Sequence, residues 1–145
     1  MNTLKSASGN YLLDLGLETL HEQSMEWISD IAFWRDEVAF LYALEISKTL
    51  KEVPMSAKRK LEAIENELVK VAGGDLDSLY DDVTNHERFL NKLLESKKED
   101  EESYREKHTE LAEKINYFST HFRELKREIF EMVKQVKAGR QTSKP

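Results

Sequence analysis

Apolar residues recur along this chain at steps of three and four, the spacing that keeps side chains on one face of an α-helix. A first series runs Leu20, Trp27, Ile31, Trp34, Val38 and Leu41, widened on one side by Ile28 and Tyr42. A second takes in Leu61, Ile64, Leu68, Ala72, Leu76, Leu79, Val83, His86, Leu90 and Leu93. The third and most regular passes from Tyr104 through His108, Leu111, Ile115, Phe118, Phe122, Leu125, Ile129 and Met132 to Val136. It is a heptad seam of the coiled-coil kind.

Few residues can end these helices. Between Leu17 and Ala138 the strong breakers are Pro54 and the pair Gly73-Gly74. Thr19 with Glu22 fits a capping box and predicts a start near Thr19. Pro54 predicts a stop, because the residue before a proline is pushed out of helical angles, and Ser56 is placed to cap the next helix. The stretch SKKEDEES, Ser96 to Ser103, has no apolar residue and predicts a second turn.

At the glycine pair the stripe continues with steps of four, Leu68 to Ala72 to Leu76, as a stutter in an unbroken helix does. The three predicted helices then have similar lengths, roughly 50, 63 and 54 Å at 1.5 Å per residue. The expected fold is therefore all-α: an antiparallel bundle of three long helices with coiled-coil-like packing. Its middle helix is kinked or broken at Gly73-Gly74, and a full break there gives a four-helix bundle instead. Residues 1–16 are expected to form a partly ordered N-terminal arm, 17–137 the bundle and 138–145 a flexible tail.

Composition narrows the function classes. Ala, Glu, Lys, Leu and Arg make up roughly half of the 145 residues, as in long helices. The 28 acids and 22 bases are interspersed and sum to −6, so no basic field of the kind that neutralises phosphates is expected and nucleic acid is not a predicted partner. The absence of cysteine removes disulfides, thiol catalysis and thiolate metal sites. No apolar run approaches the ~18 residues of a membrane span, and no signal segment is recognisable, which predicts a cytoplasmic protein. No phosphate-cradling glycine loop or nucleophile elbow occurs, so no enzymatic activity is expected.

The segments LHEQSMEWISDIAFWRDEVAFL at 20–41, NHERFL at 85–90 and HTELAEKINYFSTHFRELKREIFEMV at 108–133 together resemble a group of small, uncharacterised bacterial long-helix proteins. The resemblance covers most of the chain and implies a long-helix bundle without an assigned activity. This chain differs from the group in having Ser24 where a second histidine is expected, and in the glycine pair of its central helix.

Two features carry candidate function. The first helix has more apolar surface than one core-facing stripe needs: Phe33, Phe40 and Leu44 lie off the stripe, spaced seven and four apart, as one patch. A surplus of this kind predicts self-association or a partner helix, unless the arm with Tyr11, Leu12, Leu13, Leu15 and Leu17, or a fourth helix, covers it. The first reading is thus a non-enzymatic structural or interaction protein, an acidic helical rod.

The second feature is histidine. Turns near Pro54 and Lys98 place His21 beside position ~87 and His86 beside position ~112, so His21, His86 and His108 gather at one end. With Glu18, in a Glu-x-x-His spacing with His21, they form a candidate zinc or iron site, the alternative reading. The di-iron carboxylate pattern needs two such pairs and this chain has one. Packing histidines need no cofactor, and then their joint protonation at low pH destabilises the bundle.

Overall fold

The computed structural model describes residues 16–46, 54–95 and 101–143, and every element among them is helical. We name them α1 (Leu17–Phe40), followed by a π-turn at Leu41–Ile46; a 3₁₀ turn at Met55–Ala57 leading into α2 (Lys58–Lys70); a π-turn at Val71–Asp75; α3 (Leu76–Glu95); and α4 (Glu101–Ser143). No described helix is long and apolar enough to cross a membrane.

Helix ends differ from the capping expectations. α1 starts at Leu17, with the Leu20 amide donating to the Gly16 carbonyl, so Thr19 lies inside the first turn. Ser56 caps nothing: it sits within the 3₁₀ turn, and neither Pro54 nor Ala57 makes a side-chain cap. The backbone enters α2 through that turn, the Ala57 amide donating to Pro54 at 2.8 Å. α4 continues to Ser143, through the residues expected as a tail. The expected arm, residues 1–15, lies outside the described residues.

At the glycine pair helical bonding continues without a break. The residues buried on α2 are Leu61, Ile64 and Leu68, followed by Val71 and then by Leu76, Leu79, Val83, His86, Leu90 and Leu93. Val71 replaces the expected Ala72, which is exposed. The steps are three or four on both sides but five between Val71 and Leu76. In a pure α-helix, at about 100° per residue, a fifth residue overshoots the buried face by a quarter turn. The π-turn absorbs it: the Leu76 amide donates to the Val71 carbonyl five residues back. Gly73 and Gly74 keep negative φ, and a Cβ on either meets no atom within 4 Å.

The chain packs as two units. The first comprises the chain up to Ala32 together with Ser78–Tyr117, and here three helical segments share a core. Leu20, Leu90, Leu93 and Tyr104 form one buried cluster, with Leu17 and Phe89 against it. Within this unit α3 and α4 run antiparallel, as the contacts Asp82 with Lys114, His86 with His108 and Phe89 with Tyr104 require.

The second unit comprises Phe33–Asp77 and Phe118–Pro145. Its buried positions include Val38, Leu41, Leu61, Leu68, Phe122 and Ile129. The Trp34 ring meets Phe118 at 4.9 Å, and Phe118 stacks on Phe122. At the edge of this core Glu37 pairs with Lys126 at 2.9 Å, Asp77 with Arg35 at 2.8 Å and Glu67 with His121 at 2.8 Å.

If the glycine turn holds one residue more than the seam needs, deleting Gly74 converts the step of five to four. Helicity and cooperative unfolding are then kept, with stability unchanged or raised by about 1 kcal/mol for the lost glycine. Deleting Asn66 instead turns Leu68 and everything after it away from the core and costs several kcal/mol. Circular dichroism with urea unfolding on both deletions checks this, and equal damage from the two refutes it.

Candidate functional site

In the first unit each of the three helical segments contributes a polar residue at a buried seam position: Ser24 from α1, His86 from α3, Tyr104 and His108 from α4. His108 is fully buried and His86 is 5% exposed. Aromatic faces hold them flat. The His86 ring lies on Tyr104, centroids 4.2 Å apart and planes 1° from parallel, and His108 stacks on Trp27 at 4.6 Å.

The imidazoles bond to each other, His86 Nε2 to His108 Nδ1 at 2.9 Å, and His108 Nε2 meets Gln23 Oε1 at 2.8 Å. With the Gln23 oxygen as acceptor, His108 donates from Nε2 and its Nδ1 accepts from His86 Nε2–H. The remaining nitrogen, His86 Nδ1, then presents a lone pair without a protein partner. Both rings are neutral in this arrangement. Burial lowers the pKa of each to about 4, Lys107 adding to the effect at His86, and His86 and Arg105 at His108.

Of the predicted histidine and carboxylate set, the structure joins His86 to His108 and places His21 beside them on different terms. His21 is on the surface, its Nδ1 2.5 Å from Glu87 Oε1, which matches the expected level of position ~87. Glu18 is exposed on α1. The four do not converge, and among the described residues no three histidine, cysteine or carboxylate groups are placed to hold an ion. Gln23, Trp27 and Tyr104 were missed as partners of the histidines. The seam signalled Tyr104 and Trp27, since both sit at buried heptad positions at that level, whereas Gln23 carried no such signal.

The patch predicted on the first helix belongs to the second unit. Phe33 is 63% and Phe40 56% exposed. The backbone of Leu44 lies in the π-turn, but its side chain is outside the described residues. Phe130 of α4, 47% exposed, joins Phe40 in lining a groove of about 730 Å³. Asp36 and Glu37 flank it on α1, while Arg123, Lys126, Arg127 and Lys134 flank it on α4 with Glu131 among them.

Comparison of the chain with protein-family models, with curated proteins and with solved structures returned no match.

The histidine pair sets a pH dependence whose sign follows from the lowered pKa values. The unfolded chain takes up protons on these histidines from about pH 6.5 downward, the folded one only near pH 4. Stability from the pair is therefore present above about pH 6.5 and lost as pH falls towards 4, by several kcal/mol for the pair as a whole. Urea unfolding from pH 7 to pH 4 reads this loss. A His86→Phe, His108→Leu double variant is expected to flatten it, and an equal slope in that variant refutes the assignment.

Proposed function

We propose that this is a non-enzymatic, self-associating helical protein, and that the face carrying Phe33, Phe40 and Phe130 receives a second copy of the chain. The observation that carries the reading is the exposure of Phe33 and Phe40, seven residues apart on one side of α1. Full burial of each phenylalanine is worth about 1.5–3 kcal/mol before the costs of association. The groove beside Phe40 supplies a seat for such a contact, with Leu41 and Phe130 the other apolar residues of its lining.

Charge selects a second copy over other helices. The α1 wall of the groove is acidic, and α1 as a whole carries Glu18, Glu22, Glu26, Asp30, Asp36 and Glu37 against Arg35. The α4 wall is predominantly basic. A two-fold axis sets the α1 wall of one copy against the α4 wall of the other, so a single patch is complementary to itself. Lys126 and Glu37, already paired within one chain, lie at the edge of that contact and fix the wall's geometry.

Light scattering behind a sizing column tests the proposal. The expected mass is twice 16.9 kDa, with a thermal midpoint that rises with concentration. The Phe33→Glu, Phe40→Glu variant is expected at 16.9 kDa with unchanged helicity. A wild-type chain that stays monomeric at every concentration sinks the reading, as does a variant that keeps the doubled mass.

A further inference from the structure

Two charged side chains on opposite walls of the second unit's groove stand without a counter-ion. Asp36 of α1 and Arg123 of α4 both line the groove and both are exposed, and among the described residues neither side chain forms an ion pair or hydrogen bond. The charges beside them are already matched within the chain, Glu37 by Lys126, Arg127 by Glu124 and Lys134 by Glu131.

The two unmatched charges lie at nearly one level. α1 and α4 run parallel through this unit, since Trp34 meets Phe118 and, further along both helices, Glu37 meets Lys126. Asp36 is one residue and Arg123 three residues to the N-terminal side of that ion pair, a difference along the axis of roughly 3 Å at 1.5 Å per residue. In a two-fold contact, residue i of one copy meets residue j of the other and j meets i. An axis perpendicular to α1, passing between Asp36 and Glu37, therefore brings Asp36 of each copy to Arg123 of the other. The same rotation lays Phe33, three residues before Asp36, over Phe40, three residues after Glu37. Phe33 is absent from the lining of the groove in its own chain and Phe40 belongs to it, so a projecting ring arrives where a groove is open.

We propose that two Asp36–Arg123 ion pairs across this axis fix the register of a second copy, with Phe33 of each chain seated in the groove of the other. The pairing rests on the self-association proposed above. Excluding water beside the phenylalanine rings lowers the local dielectric and makes each pair stronger than an exposed one. A slide of one helical turn moves each Asp36 about 5.4 Å from its Arg123, so the charges hold a register that the rings alone leave loose.

Charge reversal on the full chain tests this. Light scattering over a concentration series gives the dissociation constants of the wild type, Asp36→Arg, Arg123→Asp, the double variant and a 1:1 mixture of the two single variants. Both positions are exposed and unpaired within the chain, so circular dichroism is expected to show unchanged helicity. Each single variant sets like charges against each other twice and is expected to associate at least about tenfold more weakly. The double variant recovers wild-type strength. In the mixture every acid at these positions meets a base of the other chain, so a heterodimer of wild-type strength is expected. A wild-type dimer whose single variants associate equally well overturns the pairing and leaves self-association standing. A mixture that stays monomeric while the double variant recovers also overturns it, because that is the mark of a pair within one chain. A wild-type chain that is monomeric at every concentration overturns the pairing together with self-association.

Discussion

A helix that hides one stripe of side chains must bring the next apolar residue round every three or four positions, and a single extra residue turns everything beyond it about 100° away. The seam of α4 meets that condition without interruption from Tyr104 to Val136. The stripe through α2 and α3 contains one residue too many, between Val71 and Leu76, and holds its face by widening one turn to an i to i+5 hydrogen bond. Neither backbone angle nor space demands glycine there, since Gly73 and Gly74 keep negative φ and a Cβ on either meets no atom within 4 Å. The low helix propensity of glycine is a cost of its presence there.

The same seam explains the chemistry of the first unit. Hydrophobic positions on three helices are given over to serine, histidine and tyrosine at one level, where apolar residues add more stability. A polar layer of this kind is tolerated only if its members are partnered, and its two histidines are: His86 by His108, His108 by Gln23, and both rings by aromatic faces. Two neutral imidazoles can share one hydrogen bond, whereas two imidazolium ions at 2.9 Å cannot. The layer therefore ties the unit's integrity to a protonation state, and one helix cannot slide past its neighbour without breaking the bonds.

The second unit presents the opposite case, in which apolar groups stand outside. Phe33, Phe40 and Phe130 are exposed although each is large enough to add to a core. Arg123, Lys126, Arg127 and Lys134 on α4 face a predominantly acidic α1 across the groove beside them. In the proposed self-association, charge of both signs around these apolar groups would give direction to a contact that hydrophobic burial alone leaves unspecified.

By itself the sequence determined the helical class, the face each helix buries and the level at which the histidines gather, because all three follow from a fixed turn and rise per residue. His21 beside Glu87, and Phe33 with Phe40 outside, were legible for that reason. Capping was not: Thr19 and Ser56 have the right chemistry, but side-chain caps compete with neighbouring turns whose backbone geometry local sequence does not fix. Nor was the step of five legible, since Ala72 and Val71 are both apolar and only packing decides which one turns inward. The histidine layer shows the same division. Spacing brings His86 and His108 to one place, but whether they face a shared ion or each other depends on rotamers and stacking partners supplied by other helices. Gln23, Trp27 and Tyr104 decided that in the tertiary structure, through contacts between residues up to 85 positions apart in the chain.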